Sequence, residues 1–151
     1  MLGESVADPQ GIAGDAGEEP GLGLLPARTG FSTTKIVRQV TAECDGREWT
    51  AYEIHMGRTE FRTAVPSLHT VREQGVSRPE GARHGNVWGT YLHGWFEAPE
   101  VRRRVAAAAG LESYRAHPVP WMEQRQVIYT GMAAHLAAHV DLGPVRRYLG
   151  L

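Results

Sequence analysis

The segment GTYLHGWF (Gly89–Phe96) holds the densest chemistry in the chain. His93 leaves the end of a short apolar run and is followed at once by Gly94. In open α/β sheets, ligand sites lie beyond the carboxyl ends of strands. Glycine lets the backbone turn there with no side chain in the way. An imidazole so placed can act as a general base near neutral pH, although a strand-end histidine also serves as a structural hydrogen-bonding group. The second segment is YEIHMGRTE (Tyr52–Glu60). Glu53 and His55 are two apart, so on a strand they project from one face. A carboxylate beside an imidazole orients it, or the two bind a polar ligand, or they form a plain cross-strand surface pair. Arg58, next to Gly57, can approach an anionic group, or can pair with Glu60 in an exposed ion pair worth little.

Other residues carry less. His135 and His139 have the i, i+4 spacing of a helical metal site, but no third ligand is apparent and no metal is expected. Arg102, Arg103 and Arg104 read as a solvated helix face. The glycines of GDAGEEPGLG form neither a dinucleotide fingerprint nor a phosphate-binding P-loop. Cys44 has acidic neighbours, Glu43 and Asp45. They disfavour a thiolate, and the residue reads as packing.

The elements that must position these groups fall in three zones. Residues 1–30 are glycine-rich, and the stretch 1–27 is acidic; it reads as a connecting loop with a short helical turn at its start. Residues 31–94 read as strands. Thr34–Cys44 is rich in β-branched residues, with Ile36, Val40, Ala42 and Cys44 on one parity. Asp45-Gly46 suits a two-residue hairpin turn. Arg47–Met56 then forms a second strand that ends at Gly57. Residues 61–86 show little pattern, with a turn at His84-Gly85-Asn86. Val87–Leu92 is a short buried strand. Residues 95–151 read as helices. Pro99 suits a first helical position, and Glu97 and Glu100 favour the positive end of the dipole. That helix stops at Gly110. A second spans Pro120 to about Val140, with Ile128, Met132, Leu136 and Val140 on one face.

Composition bounds the function. A chain of 151 residues with 42% hydrophobic and 22% charged residues fits about one globular domain. The net charge of -1 gives no basic field for nucleic acid. No apolar run approaches the roughly 20 residues that span a bilayer. The N-terminal residues lack the pattern of a secretory signal. A single cysteine excludes an internal disulfide framework. A soluble cytoplasmic protein is the expectation, with neither nucleic acid nor membrane as partner. Strands followed by helices, without an opening βαβ unit, fit the C-terminal part of an α/β fold.

GLGLLPARTGF (Gly21–Phe31), YEIHMGRTE and VWGTYLHGWF, in this order and spacing, resemble the C-terminal glutamine amidotransferase domain of the cobyric acid synthase family. MLGES (Met1–Ser5) extends the resemblance over essentially the whole chain. It implies an α/β fold: the C-terminal portion of a flavodoxin-like class I amidotransferase domain, an incomplete sheet plus C-terminal helices. It implies glutamine as ammonia source, a cysteine thiolate that attacks the carboxamide, and a histidine acting as base and then acid. His93 matches that histidine; Glu53, His55 and Arg58 are weaker candidates for shaping the glutamine pocket. The ammonia is used in ATP-dependent amidation of adenosylcobyrinic acid a,c-diamide, in cobalamin biosynthesis. ATP and Mg, like the corrinoid, are expected on a separate synthetase domain, so no cofactor is expected in this chain.

Two departures stand out. Many class I amidotransferases carry a glutamate two residues after the histidine; here that residue is Trp95, as the cobyric acid synthase branch leads one to expect. The nucleophile is expected shortly before a segment like MLGES, a few residues before Met1, and Cys44 stands on the wrong element. The chain thus reads as a fragment, inactive alone, that needs a complementary N-terminal fragment to fold well. The alternatives are a non-catalytic amidotransferase-like partner or regulatory module, and a related amidotransferase acting on another carboxylate.

Overall fold

A computed structural model describes residues 1–151. Its frame is one long antiparallel ribbon. β3 (Ala27–Cys44) and β4 (Arg47–Phe61) pair from Ala27↔Phe61 to Cys44↔Arg47, with an irregularity between Phe31 and Ile36. The tip is the Asp45-Gly46 turn foreseen above. Both residues have positive φ, 52° and 74°, as the mirror-image hairpin turn demands. The second strand runs on through Gly57 to Phe61, so Glu53, His55 and Arg58 lie within a strand and not at its end. The ladder supplies partners that a glycine's weak strand propensity would not.

The N-terminal region is not a loop with a helical turn. β1 (Ser5–Asp8) and β2 (Gly17–Pro20) form an antiparallel pair, and β1 lies parallel to the start of β3. The Asp8 carboxylate closes the connection by accepting the backbone N–H groups of Ile12 and Ala13, at 2.8 and 2.7 Å. Strands of four residues carry too little alternation to be seen in sequence. The stretch 61–86 is also ordered. β5 (His69–Glu73) pairs with β3 and with β6 (Val76–Glu80), through a turn at Gln74 and Gly75, φ 49° and 83°.

Val87–Leu92 does not form one strand. β7 (Ala82–His84) and β8 (Val87–Gly89) make a small hairpin, and the chain then bends so that β9 (Leu92–His93) joins β4. Glu80 forces the bend. Its carboxylate accepts the Thr90 hydroxyl at 2.7 Å and the Tyr91 N–H at 2.8 Å. Burial raises this carboxyl above its ordinary range, and the two bonds oppose the rise. The result is an α/β chain with a mixed sheet, ordered β2-β1-β3-β4-β9 with β5 and β6 beside β3, and three helices.

α1 (Pro99–Ala108) begins on Pro99 and stops before Gly110, φ 72°. α2 spans Trp121–His139 and α3 Gly143–Leu149. No helix is long and apolar enough to cross a membrane. α2 contributes no buried residue. Ile128, Met132, Leu136 and Val140, read above as one apolar face, are all exposed.

The buried side chains form two clusters. Val40, Ala42, Ala51, Val71 and Leu92 fill one face of the sheet; Cys44, Ala98 and Val101 lock α1 against its end. Two of the three arginines of α1 belong to this junction and not to a solvated face. Arg104 donates to the Leu68 carbonyl at 2.8 Å, and Arg102 to the carbonyls of Phe96 and Glu97 at 2.6 and 2.9 Å. Arg103 pairs with Glu100 at the surface. Trp95, in the turn after β9, donates its indole N–H to His69 Nε2. The proton of His69 is then on Nδ1, which is buried and unpartnered. Burial, reinforced by the Arg104 charge, pushes the His69 imidazole down to about 4 from 6.5.

Two outcomes follow from this packing. The folded state binds fewer protons at His69 than the unfolded chain does between pH 6.5 and 4. Stability is therefore lost as pH falls through that window, by about 3 kcal/mol in urea unfolding, and His69→Gln flattens the slope. Helices without tertiary packing are marginal in water. Hydrogen exchange is thus expected to be orders of magnitude faster in α2 than at Val40 and Ala51 in the β3–β4 ladder.

Candidate functional site

Alternation along β4 decides where each candidate points. Residues opposite one another in an antiparallel pair share a face, and neighbours along a strand take opposite faces. Glu53 pairs with Arg38 and with Leu92; Tyr52 pairs with Gln39 and with His93. Glu53 and His55 therefore share the core face, and Tyr52 and His93 the other. Arg58 has the parity of Tyr52 and is exposed, some way along the strand. The structure brings Glu53 and His55 to one cleft and leaves His93 and Arg58 outside it.

On the core face, Glu53 is only 1% exposed. Burying a lone carboxylate is costly, and two guanidinium groups meet the cost. Arg38 Nε donates to Oε2 at 2.5 Å, and Arg78 Nη2 to both oxygens at 2.7–2.8 Å. Arg38 also reaches Glu73 at 3.0 Å. Burial alone would raise the Glu53 carboxyl; Arg78 and Arg38 outweigh it and hold the group below its ordinary range.

Beside this cluster lies an open cleft of about 780 Å³, walled by Glu53, His55, Thr59, Glu80, Tyr91 and others. His55 stacks on Tyr91, ring centroids 4.0 Å apart, and its Nδ1 meets the Gly57 carbonyl at 2.8 Å. Tyr91 Oη contacts Thr59 Oγ1 at 2.7 Å, and Thr59 contacts Thr29 at 2.8 Å. Gly57 makes room for the network: a Cβ there would lie 2.9 Å from Thr29 Cγ2 and 3.1 Å from Tyr91 Oη. Thr29, Thr59, Glu80 and Tyr91 were not singled out by sequence reasoning, because the contacts that assemble them span up to 32 positions.

On the opposite face, His93 is exposed and its ring lies flat against Tyr52, centroids 4.8 Å apart and planes 9° from parallel. Val37, Tyr52 and Ile54 give this face an exposed apolar surface. Gly94 follows with φ 78°, a left-handed conformation costly for other residues. The chain so leaves the sheet directly after the imidazole.

Cys44 is far from this description of a nucleophile. It is 3% exposed among Ala98, Val101 and Trp49. Burial is the main cause that raises its thiol, Asp45 adds to the rise, and Arg104, 3.4 Å from Sγ, opposes it. His135 and His139 are exposed on α2, with His139 Nδ1 2.8 Å from the His135 carbonyl.

Removing the charge of Glu53 leaves two guanidinium groups without their shared partner. Glu53→Gln is expected to cost roughly 3 kcal/mol in urea unfolding at pH 7, far more than the exposed pair Arg28–Glu18 loses on the same treatment.

Residues 1–101 match the model of the CobB/CobQ-like glutamine amidotransferase domain. Among curated relatives, the cobyric acid synthase of Roseiflexus castenholzii is 36% identical over 97% of this chain and 31% of its own length. That of Methylibium petroleiphilum is 34% identical over 99% of this chain and 29% of its own length. That of Chloroflexus aggregans reaches 41% over 68% of this chain and 23% of its own length. The chain spans less than a third of the length of these relatives, and matches their C-terminal part. The agreement of the family model with two-thirds of the chain, at the strands that carry His93, Glu53 and His55, is decisive: this chain belongs to the CobB/CobQ-like glutamine amidotransferase domain family.

Proposed function

We propose that these residues form the histidine-bearing part of a glutamine amidotransferase that releases ammonia from glutamine. The observation that carries the reading is the setting of His93. It stands at a strand end, exposed, beside an open apolar face and ahead of a left-handed glycine. The sulfur comes from polypeptide outside residues 1–151, because Cys44 is buried and its thiol is held in the neutral form. His93 takes the proton from that sulfur as the thiolate adds to the glutamine carboxamide carbon. It returns the proton to the leaving nitrogen, so that ammonia departs and a glutamyl thioester remains. Water, deprotonated by the same imidazole, then adds to the thioester, and glutamate and the thiol are regenerated.

Glu53, His55 and Arg58 stay in this proposal as weaker glutamine-side residues. Glu53 and His55 line the cleft on the face of β4 opposite His93; Arg58 shares the face of Tyr52 and His93 and is exposed. The flavodoxin-like layout also stays a proposal, supported by the parallel β1–β3 pair. A complementary N-terminal polypeptide packed on the open face is supported by a core of only 22 buried residues in 151.

The ammonia is passed to an ATP- and Mg-dependent synthetase, with adenosylcobyrinic acid a,c-diamide as acceptor. The relatives are named cobyric acid synthases, which supports a precursor of cobyric acid as the acceptor. A second reading, a non-catalytic amidotransferase-like module, is favoured by one fact, the burial of the sole cysteine.

The two readings separate cleanly. Residues 1–151 alone are expected to form no glutamate from glutamine. In the polypeptide that unites them with the nucleophile, His93→Ala lowers glutamine-dependent amidation by about 10³-fold and spares ammonia-dependent amidation. Persistence of both activities in that variant overturns the role of His93.

A further inference from the structure

We propose that Tyr52 is the positioning residue of His93: its ring, in place of a carboxylate, fixes the plane of the imidazole while leaving both nitrogens free. The inference rests on the functional reading above and adds a residue to it.

The imidazole needs such a constraint. The terminal torsion of a histidine is broad, and His93 makes no side-chain hydrogen bond. Trp95, two residues on, does not supply one, since its indole N–H is committed to His69 beneath the core face. What touches the ring is Tyr52, directly opposite on β4, with the two planes 9° apart at 4.8 Å. The platform is itself fixed from both sides. β4 is paired with β3 through Gln39↔Tyr52 and with β9 through Tyr52↔His93. The buried Glu53–Arg38–Arg78 cluster follows Tyr52 at once and locks the strand against slippage.

The chemistry suits a proton carrier. A stacked aromatic neighbour covers a ring face and none of the ring edge. Both nitrogens of His93 thus remain open, one to carry the proton between sulfur and leaving nitrogen and the other toward solvent. When the imidazole is protonated, it becomes a cation over a tyrosine ring, which is an attractive arrangement. The phenol is not asked to accept a proton. Tyr52→Phe should therefore keep the function, and a flat ring is the property that matters.

The experiment has a spectroscopic arm and a kinetic arm. In this chain, the His93 ring protons are shielded by Tyr52. Tyr52→Phe keeps the upfield shift, and Tyr52→Leu loses it; unshielded His93 protons in the unsubstituted chain overturn the proposal. In the polypeptide that includes the nucleophile, Tyr52→Leu lowers kcat for glutamine hydrolysis by about 10²-fold, with KM and ammonia-dependent amidation little changed. Tyr52→Phe restores kcat to within about twofold of the parent, as an intact platform requires. Undiminished kcat in Tyr52→Leu overturns the proposal. If Tyr52→Leu also loses ammonia-dependent amidation, Tyr52→Trp decides: an active variant supports the platform, and an inactive one overturns it. A fully active His93→Ala sinks the functional reading itself, whereas an inactive His93→Ala beside a fully active Tyr52→Leu sinks only the role of Tyr52.

Discussion

The carboxylate of Glu53 cannot stay buried as a charge without counter-charge, and that requirement organises the sheet. Arg38 answers from β3 and Arg78 from β6, while Arg38 extends the chain of charges to Glu73 on β5. The four strands so tied, β3 to β6, follow one another along the chain, and the cluster holds them in one arrangement. A buried ion cluster is weak evidence of net stability, since two desolvated partners can cost as much as they return. Its effect is on register. A slip of β4 by one residue would put the carboxylate on the open side and strand both guanidinium groups.

That fixed register sorts the chemistry between two surfaces. The core side of β4 presents Glu53 and His55 to the cleft, where Tyr91, Thr59 and Thr29 form one bonded set. The far side presents Tyr52 to His93. The strand that carries His93 is only two residues long, and on its own it could not hold an imidazole in place. It borrows its position from three anchors: the ladder to β4, the Glu80 carboxylate on Thr90 and Tyr91, and the Trp95–His69 bond. A long rigid ribbon thus supports a short strand.

Much of this was legible in the sequence. The ribbon announced itself through alternation in Thr34–Cys44 and through Asp45-Gly46, whose turn needs positive φ at both positions. α1 and α2 followed from Pro99, Gly110 and the four-residue spacing of Ile128, Met132 and Leu136. The histidine at the end of GTYLHG was readable from its setting. The short strands β1, β2, β5 and β6 were not, because four or five residues give too few alternations to separate from loop. Nor was the bend between β8 and β9, which depends on a carboxylate ten positions upstream. The pairing of Glu53 with His55 across one face was correct in parity; that Arg38 and Arg78 would claim the carboxylate is information held only by tertiary contacts.

The alternation of β4 also constrains how this gene can change. A substitution within Arg47–Phe61 alters one side chain on one surface. An insertion or deletion of a single codon there would exchange the two surfaces over every position beyond it, sending phenol inward and carboxylate outward. The stretch therefore tolerates substitution at its exposed positions far better than any change of length.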